Sequence, residues 1–153
     1  MGRIIVGLDG SMAARFAFQE AVQEAEWRNA KITAMHVVVV PVAAGRDLEK
    51  HDLERLQEYG ETILDRELAE IASQYENGLP VQVDRLATVG HPGERIIDEA
   101  ERSEDPAELV VLGGRGLGGF KGLLLGSVTT YAVHHMPSEL LVVPAPEEAS
   151  VSG

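Results

Sequence analysis

The chain has 153 residues, no cysteine, and 25 acidic against 13 basic side chains, for a formal charge of −12 and a pI near 4.7. That length suits one domain, whose core buries roughly 70% of the unfolded chain's surface without disulfides or metals. The missing cysteine excludes thiol catalysis and cysteine-ligated metal, and the acidic balance repels nucleic acid and anionic membranes.

Residues 3–8 form a short apolar run closed by Asp9-Gly10-Ser11, the pattern of a strand buried on both faces. The opening lacks the apolar core of a signal peptide, because Gly7 and Asp9 interrupt it, and no stretch reaches the roughly 18 apolar residues of a membrane span. The expectation is a soluble, cytoplasmic protein with neither nucleic-acid nor membrane partners. Ser11 caps a helix over 12–28, in which Ala14, Phe18, Ala21, Val22 and Ala25 keep helical spacing. Residues 31–40 are β-branched and end at Pro41, so they read as a second strand, and 42–46 as a small flexible connection. A long amphipathic helix follows, with Leu53, Leu56, Ile63, Leu64, Leu68, Ile71 and Tyr75 on one stripe and Gly60 weakening its middle.

Asn77-Gly78-Leu79-Pro80 stops that helix, and 81–89 alternates as a third strand would. Gly90-His91-Pro92 turns into a helix carrying Ile96, Ile97 and Ala100. A fourth strand over 108–112, a helix over 128–135 stopped by Pro137, and a fifth strand over 140–143 complete the order. Strands alternating with helices favour a parallel sheet covered on both faces. Residues 1–145 read as a single domain and 146–153 as a disordered tail.

The chemistry concentrates where Val110-Val111-Leu112-Gly113-Gly114-Arg115-Gly116 is followed, nine residues on, by Gly126-Ser127. A strand runs into a glycine-rich loop that ends at the start of a helix, which is how backbone N–H groups are presented to a phosphate. A Walker loop is excluded, because Lys121 is followed by Gly122 rather than by serine or threonine. The spacing from Gly114 to Gly119 matches a dinucleotide fingerprint, but that fingerprint belongs on a first strand, and Glu139 precedes its strand instead of ending it. The third template, Gly-x-x-Gly, nine residues, Gly-Ser, is met by Gly113, Gly116, Gly126 and Ser127.

With that template the sequence resembles the universal stress protein family. The resemblance is carried also by Asp9-Gly10-Ser11, by His36-Val37 on the second strand, by Gly90 and Pro92 after the third, and by the terminal apolar strand. It implies an open five-stranded parallel sheet in the order 3-2-1-4-5 with helices on both faces, and ATP binding in a subset of members. In that order the winding reverses between strands 1 and 4, and ligands of open α/β sheets sit outside the carboxyl ends at such a reversal. Asp9 and Gly113 are those ends. By analogy with the family, Gly7, Leu8, Val37, Leu112 and Val128 are walls of an adenine pocket, although apolar residues at strand ends also serve as plain core.

The other positions carry two readings each. Gly113, Gly114, Gly116 and Gly126 fit a tight turn or a phosphate cradle. Ser127 fits an N-cap, a phosphate ligand, or both. Asp9 fits a strand end, a helix cap, or a contact to ribose or to Mg²⁺ carried by ATP. Arg115 and Lys121 fit a solvated surface or a phosphate clamp. The five histidines include no pair at i, i+4, so a protein metal centre is not expected. His91 and Ser138-Glu139 depart from the family's pattern.

Leu140, Leu141, Val142 and Val143 would form an exposed apolar edge, and the resemblance implies that it pairs across a two-fold axis in a homodimer. The function expected is an ATP-binding regulatory module. No set of base, arginine clamp and nucleophile can be assembled from the sequence, which sets a slow ATP hydrolase or self-phosphorylating protein behind that reading. A nucleotide-free dimeric interaction protein would leave the motif idle.

Overall fold

The computed structural model describes residues 1–40, 48–115 and 125–145. Its elements follow in the order β1 (Gly2–Gly7), α1 (Met12–Arg28), β2 (Ala30–Val38), α2 (Lys50–Ala72), β3 (Val83–Val89), α3 (Pro92–Ala100), β4 (Leu109–Gly113), α4 (Ser127–His135) and β5 (Glu139–Val143). All strand pairs are parallel and the sheet order is β3-β2-β1-β4-β5, so the winding does reverse between β1 and β4.

Alternation along the strands divides the core between the two faces of the sheet. Ile4 and Val6 of β1, with Leu109 and Val111 of β4, pack on one face against Phe18 and Ala21 of α1 and Leu64 and Leu68 of α2. Ile5, Val110 and Leu112 pack on the other face against Ile96 and Ala100 of α3 and Ala132 of α4. Small residues set the helix distances. α1 buries Ala13, Ala14, Ala17, Ala21 and Ala25, which lets it lie close to the sheet. Its ends are well defined: Ser11 Oγ accepts from Ala14 N at 3.1 Å, and Asn29 closes the helix in the left-handed region at φ 52°.

One expectation for α2 is corrected and another is given its reason. Gly60 stands in mid-helix because a β-carbon there would lie 2.8 Å from Val38 Cγ2 and 3.3 Å from Ala87 Cβ. It is the place where α2 presses onto β2 and β3. Tyr75 lies beyond the helix end, in the following turn, yet still packs against the same core. Elsewhere the strand ends shift by one or two residues.

At the amino ends of the strands Arg3 is 2% exposed, and its guanidinium donates to Glu99 Oε1 and to the Glu99 carbonyl, both at 2.8 Å. Its Nε lies 3.5 Å from Asp105, which also meets Lys31 Nζ at 3.1 Å. The Lys31 hydrogen bond, with the charges of Arg3 and Arg102, holds the Asp105 carboxyl below the usual carboxylate range.

Candidate functional site

At the carboxyl ends the backbone turns sharply after β1. Gly10 sits at φ 84°, a conformation that side chains disfavour, and Asp9 Oδ1 accepts from Ser11 N at 2.9 Å to fix the turn. A residue that sequence reasoning missed braces it from below. Glu67 of α2, 4% exposed, accepts from Gly10 N at 3.0 Å, and its Oε2 is buried without a hydrogen-bond partner among the described residues. Burial pushes the Glu67 carboxyl above its ordinary range and the Asp9 charge adds to this, against the opposing Gly10 N–H bond and the charges of Arg15 and His36. Its position three residues after Leu64 and four before Ile71 puts it on the apolar stripe, the one signal in the sequence that it points inward.

Across the reversal, one hydrogen bond ties the end of β4 to β5 and two tie it to the start of α4. Gly114 N donates to Val143 O at 2.9 Å, Gly126 N to Gly114 O at 2.7 Å, and Thr129 Oγ1 to Gly113 O at 2.7 Å. Gly126, not Ser127, is the N-cap of α4, which corrects the capping alternative for Ser127: it is the first helical residue. The Gly126 N–H is already used within the protein. The helix therefore offers the remaining N–H groups of its first turn, those of Ser127, Val128 and Thr129.

Glycine at 113 has a packing reason that the spacing did not suggest. A β-carbon there would lie 2.7 Å from Ala13 C and 2.8 Å from Ala14 N, so the bare position lets the start of α1 approach β4. At Gly114 the same atom would meet nothing nearer than Val142 Cγ1 at 3.7 Å.

Between these two turns opens a cavity of about 630 Å³, within the size range of small-molecule sites. Gly7, Leu8, Asp9, Val37, Leu112, Gly113, Arg115, Gly126, Ser127 and Val128 all line it, so ten of the twelve residues singled out above are brought together. Gly114 is not among the lining residues and serves the β4–α4 junction instead. Gly116 lies outside the described residues, as do Lys121, the connection 42–46 and the tail 146–153. The lining adds His36, named above only as part of the family resemblance, and residues that the sequence did not single out, among them Val39, Tyr59 and Thr129. His36 Nδ1 lies 2.8 Å from the Leu8 carbonyl; since a carbonyl can only accept, His36 donates there and ties β2 to the end of β1. His91 caps α3 by accepting from Glu94 N at 3.3 Å, ahead of Pro92, which reaches the cavity wall.

A doubly wound parallel sheet with its cavity at the β1/β4 reversal defines the open α/β proteins that hold ligands at a topological switch point. Within that class the chain belongs to the universal stress protein family, whose sequence profile it matches over residues 1–144. A universal stress protein of Synechocystis is 31% identical, with 93% of this chain and 97% of that protein covered. One from Mycobacterium tuberculosis is 35% identical over 126 residues, covering 82% of this chain and 39% of that protein. The chain thus spans less than half the length of its mycobacterial relatives. The solved structure of universal stress protein UspA from Lactobacillus plantarum superposes with a TM-score of 0.71 at 27% identity, over 93% of this chain and 97% of that one. The same fold is seen in a universal stress protein in complex with cAMP (TM-score 0.69, 23% identity) and in one from Archaeoglobus fulgidus in complex with dAMP (TM-score 0.63, 19% identity). Among the described residues no helix is long and apolar enough to cross a membrane.

Proposed function

We propose that the chain is a cytoplasmic ATP-binding regulatory module whose nucleotide lies at the switch point between β1 and β4. The observation that carries this reading is the cavity, which gathers the end of β1, the end of β4 and the first turn of α4 around one space. The phosphates lie against the N–H groups of Ser127, Val128 and Thr129, where the helix dipole favours an anion, with Arg115 as the cation. Gly7, Leu8, Val37 and Leu112 wall the base and ribose. Asp9, a carboxylate lining the cavity, suits the ribose or Mg²⁺ carried by ATP, since that ion takes oxygen ligands. The cAMP and dAMP in structural neighbours support an adenine nucleotide as the ligand class.

His36 spends its Nδ1–H on the Leu8 carbonyl and Thr129 its hydroxyl proton on the Gly113 carbonyl, so both brace the cavity wall. Calorimetric titration with ATP, with and without Mg²⁺, beside AMP and cAMP tests the reading. Binding is expected, with a rise in stability of about 2.7 kcal/mol at 100 times the dissociation constant. Absence of binding by all three nucleotides overturns it, and ADP release over many turnovers would make the protein an enzyme instead.

The same reading includes a homodimer through Leu140, Leu141, Val142 and Val143. Its support is that β5 is an edge strand, paired among the described residues with β4 alone, on which Leu140, Leu141 and Val142 stay partly exposed while Val143 is buried in the core. Light scattering on the eluting protein is expected to give twice the chain mass; a monomer at tens of micromolar counts against it.

A further inference from the structure

Two large apolar side chains stand out in solvent at the same place. Tyr59 of α2 is 60% exposed and Val39, just past β2, is 63% exposed, and both line the cavity. Neither is needed to fill the core. Tyr59 is nonetheless held on a firm backbone, because Gly60 beside it is buried against Val38, Ala87 and His36, and Gln57 donates to the Ala87 carbonyl in the preceding turn. α2 therefore presents an aromatic ring at the cavity mouth from a helix pinned to the sheet on both sides of it.

The two ends of the cavity differ in chemistry. Arg115, Gly126 and Ser127 lie on the β4–α4 side, and Val37, Val39 and Tyr59 on the β2–α2 side. β1 lies between, so β2 and β4 are two strand spacings apart, roughly 10 Å. A ligand that uses both ends is anionic at one and flat and apolar at the other.

We infer that Tyr59, with Val39 on the same wall of the cavity, is the platform on which the nucleobase stacks, so that α2 adds to the affinity for the base. This rests on the nucleotide reading above and deepens it. Tyrosine is well suited to stacking, because it brings a large face with only two side-chain torsions to immobilise, and a base stacked on an aromatic ring is worth about 1–3 kcal/mol. The first turn of α4 would then select for phosphate and Tyr59 for the ring attached to it.

Titration of ATP into the wild type, Tyr59→Phe and Tyr59→Ala, with inorganic tripolyphosphate as a base-free competitor, tests the inference. Tyr59→Ala is expected to weaken ATP roughly 5- to 150-fold, to leave the competitor's affinity unchanged, and to keep the circular dichroism and melting of the wild type, since the side chain is mostly exposed. Tyr59→Phe is expected to bind ATP within threefold of the wild type. ATP affinity within twofold in Tyr59→Ala overturns the inference and leaves the nucleotide site standing. Equal loss in Tyr59→Phe and Tyr59→Ala assigns the hydroxyl and overturns stacking. A wild type that binds no ATP overturns the parent reading itself.

Discussion

At the amino ends of the strands Arg3 is surrounded by Glu99, Asp105 and the Thr33 hydroxyl, whereas at the carboxyl ends two carboxylates, Asp9 and Glu67, hold one turn. The first end places each buried charge opposite its complement. The second buries a carboxyl at a cost, which shows as the raised Glu67 titration. The amino end sets its buried guanidinium against carboxylates, while the carboxyl end holds a half-satisfied carboxyl under the turn that follows β1.

The contrast can be broken most strongly from the amino end. Arg3→Ala leaves Glu99 and Asp105 without their buried partner and is expected to cost about 3 kcal/mol in urea unfolding. A cost under about 1 kcal/mol would show that water and Arg102 replace it. At the carboxyl end, Gly113→Ala drives a β-carbon into the backbone of α1 and is expected to cost about 1–3 kcal/mol. Gly114→Ala, one residue on, meets only ordinary contacts and is expected to stay within about 0.5 kcal/mol of the wild type. Equal effects at the two glycines would contradict the packing that separates them.

The smallest effect has the opposite sign. Glu67 titrates above its ordinary range in the folded protein, so its contribution to stability is fully present below the unfolded value and is lost as pH rises through the folded one. Glu67→Gln keeps an oxygen for Gly10 N–H and removes the charge. It is expected to raise the melting temperature by a few degrees at about pH 8, with the gain fading towards about pH 4. Asp105, held below its range by Lys31, acts in reverse, its contribution being lost as pH falls. A Glu67→Gln gain that grows with acid would refute the assignment.

The elements and their order were legible because each strand carries a compact apolar run and each helix an apolar stripe, ended by glycine, proline or a capping residue. The pairing order was not in the periodicity; it came from the family resemblance. In the site, Gly113 and Gly126 were found by spacing, but their physical roles were not. That Gly113 faces α1, and that the Gly126 N–H is taken up by Gly114 O, depends on segments far apart in sequence. Gly60 looked like a defect for the same reason: its neighbour across the gap, Val38, is on another element. Tyr59 was passed over because a single helix pattern does not reveal which aromatic residue faces a cavity, and Glu67 because its partner, the Gly10 N–H, lies on another segment.

The central place of β1 also bears on how the molecule comes into being. Ile4 pairs with Ile32 on one side and with Leu109 on the other, so β1 stays half paired until β4 has been made. A growing chain must hold that apolar edge while the segments from β2 to β4 are translated, in competition with aggregation. The cavity needs α4 as well, and its closure depends on contacts of high sequence separation, which form slowly. Nucleotide binding by nascent chains of increasing length should therefore switch on abruptly, after α4 has emerged, rather than build up strand by strand.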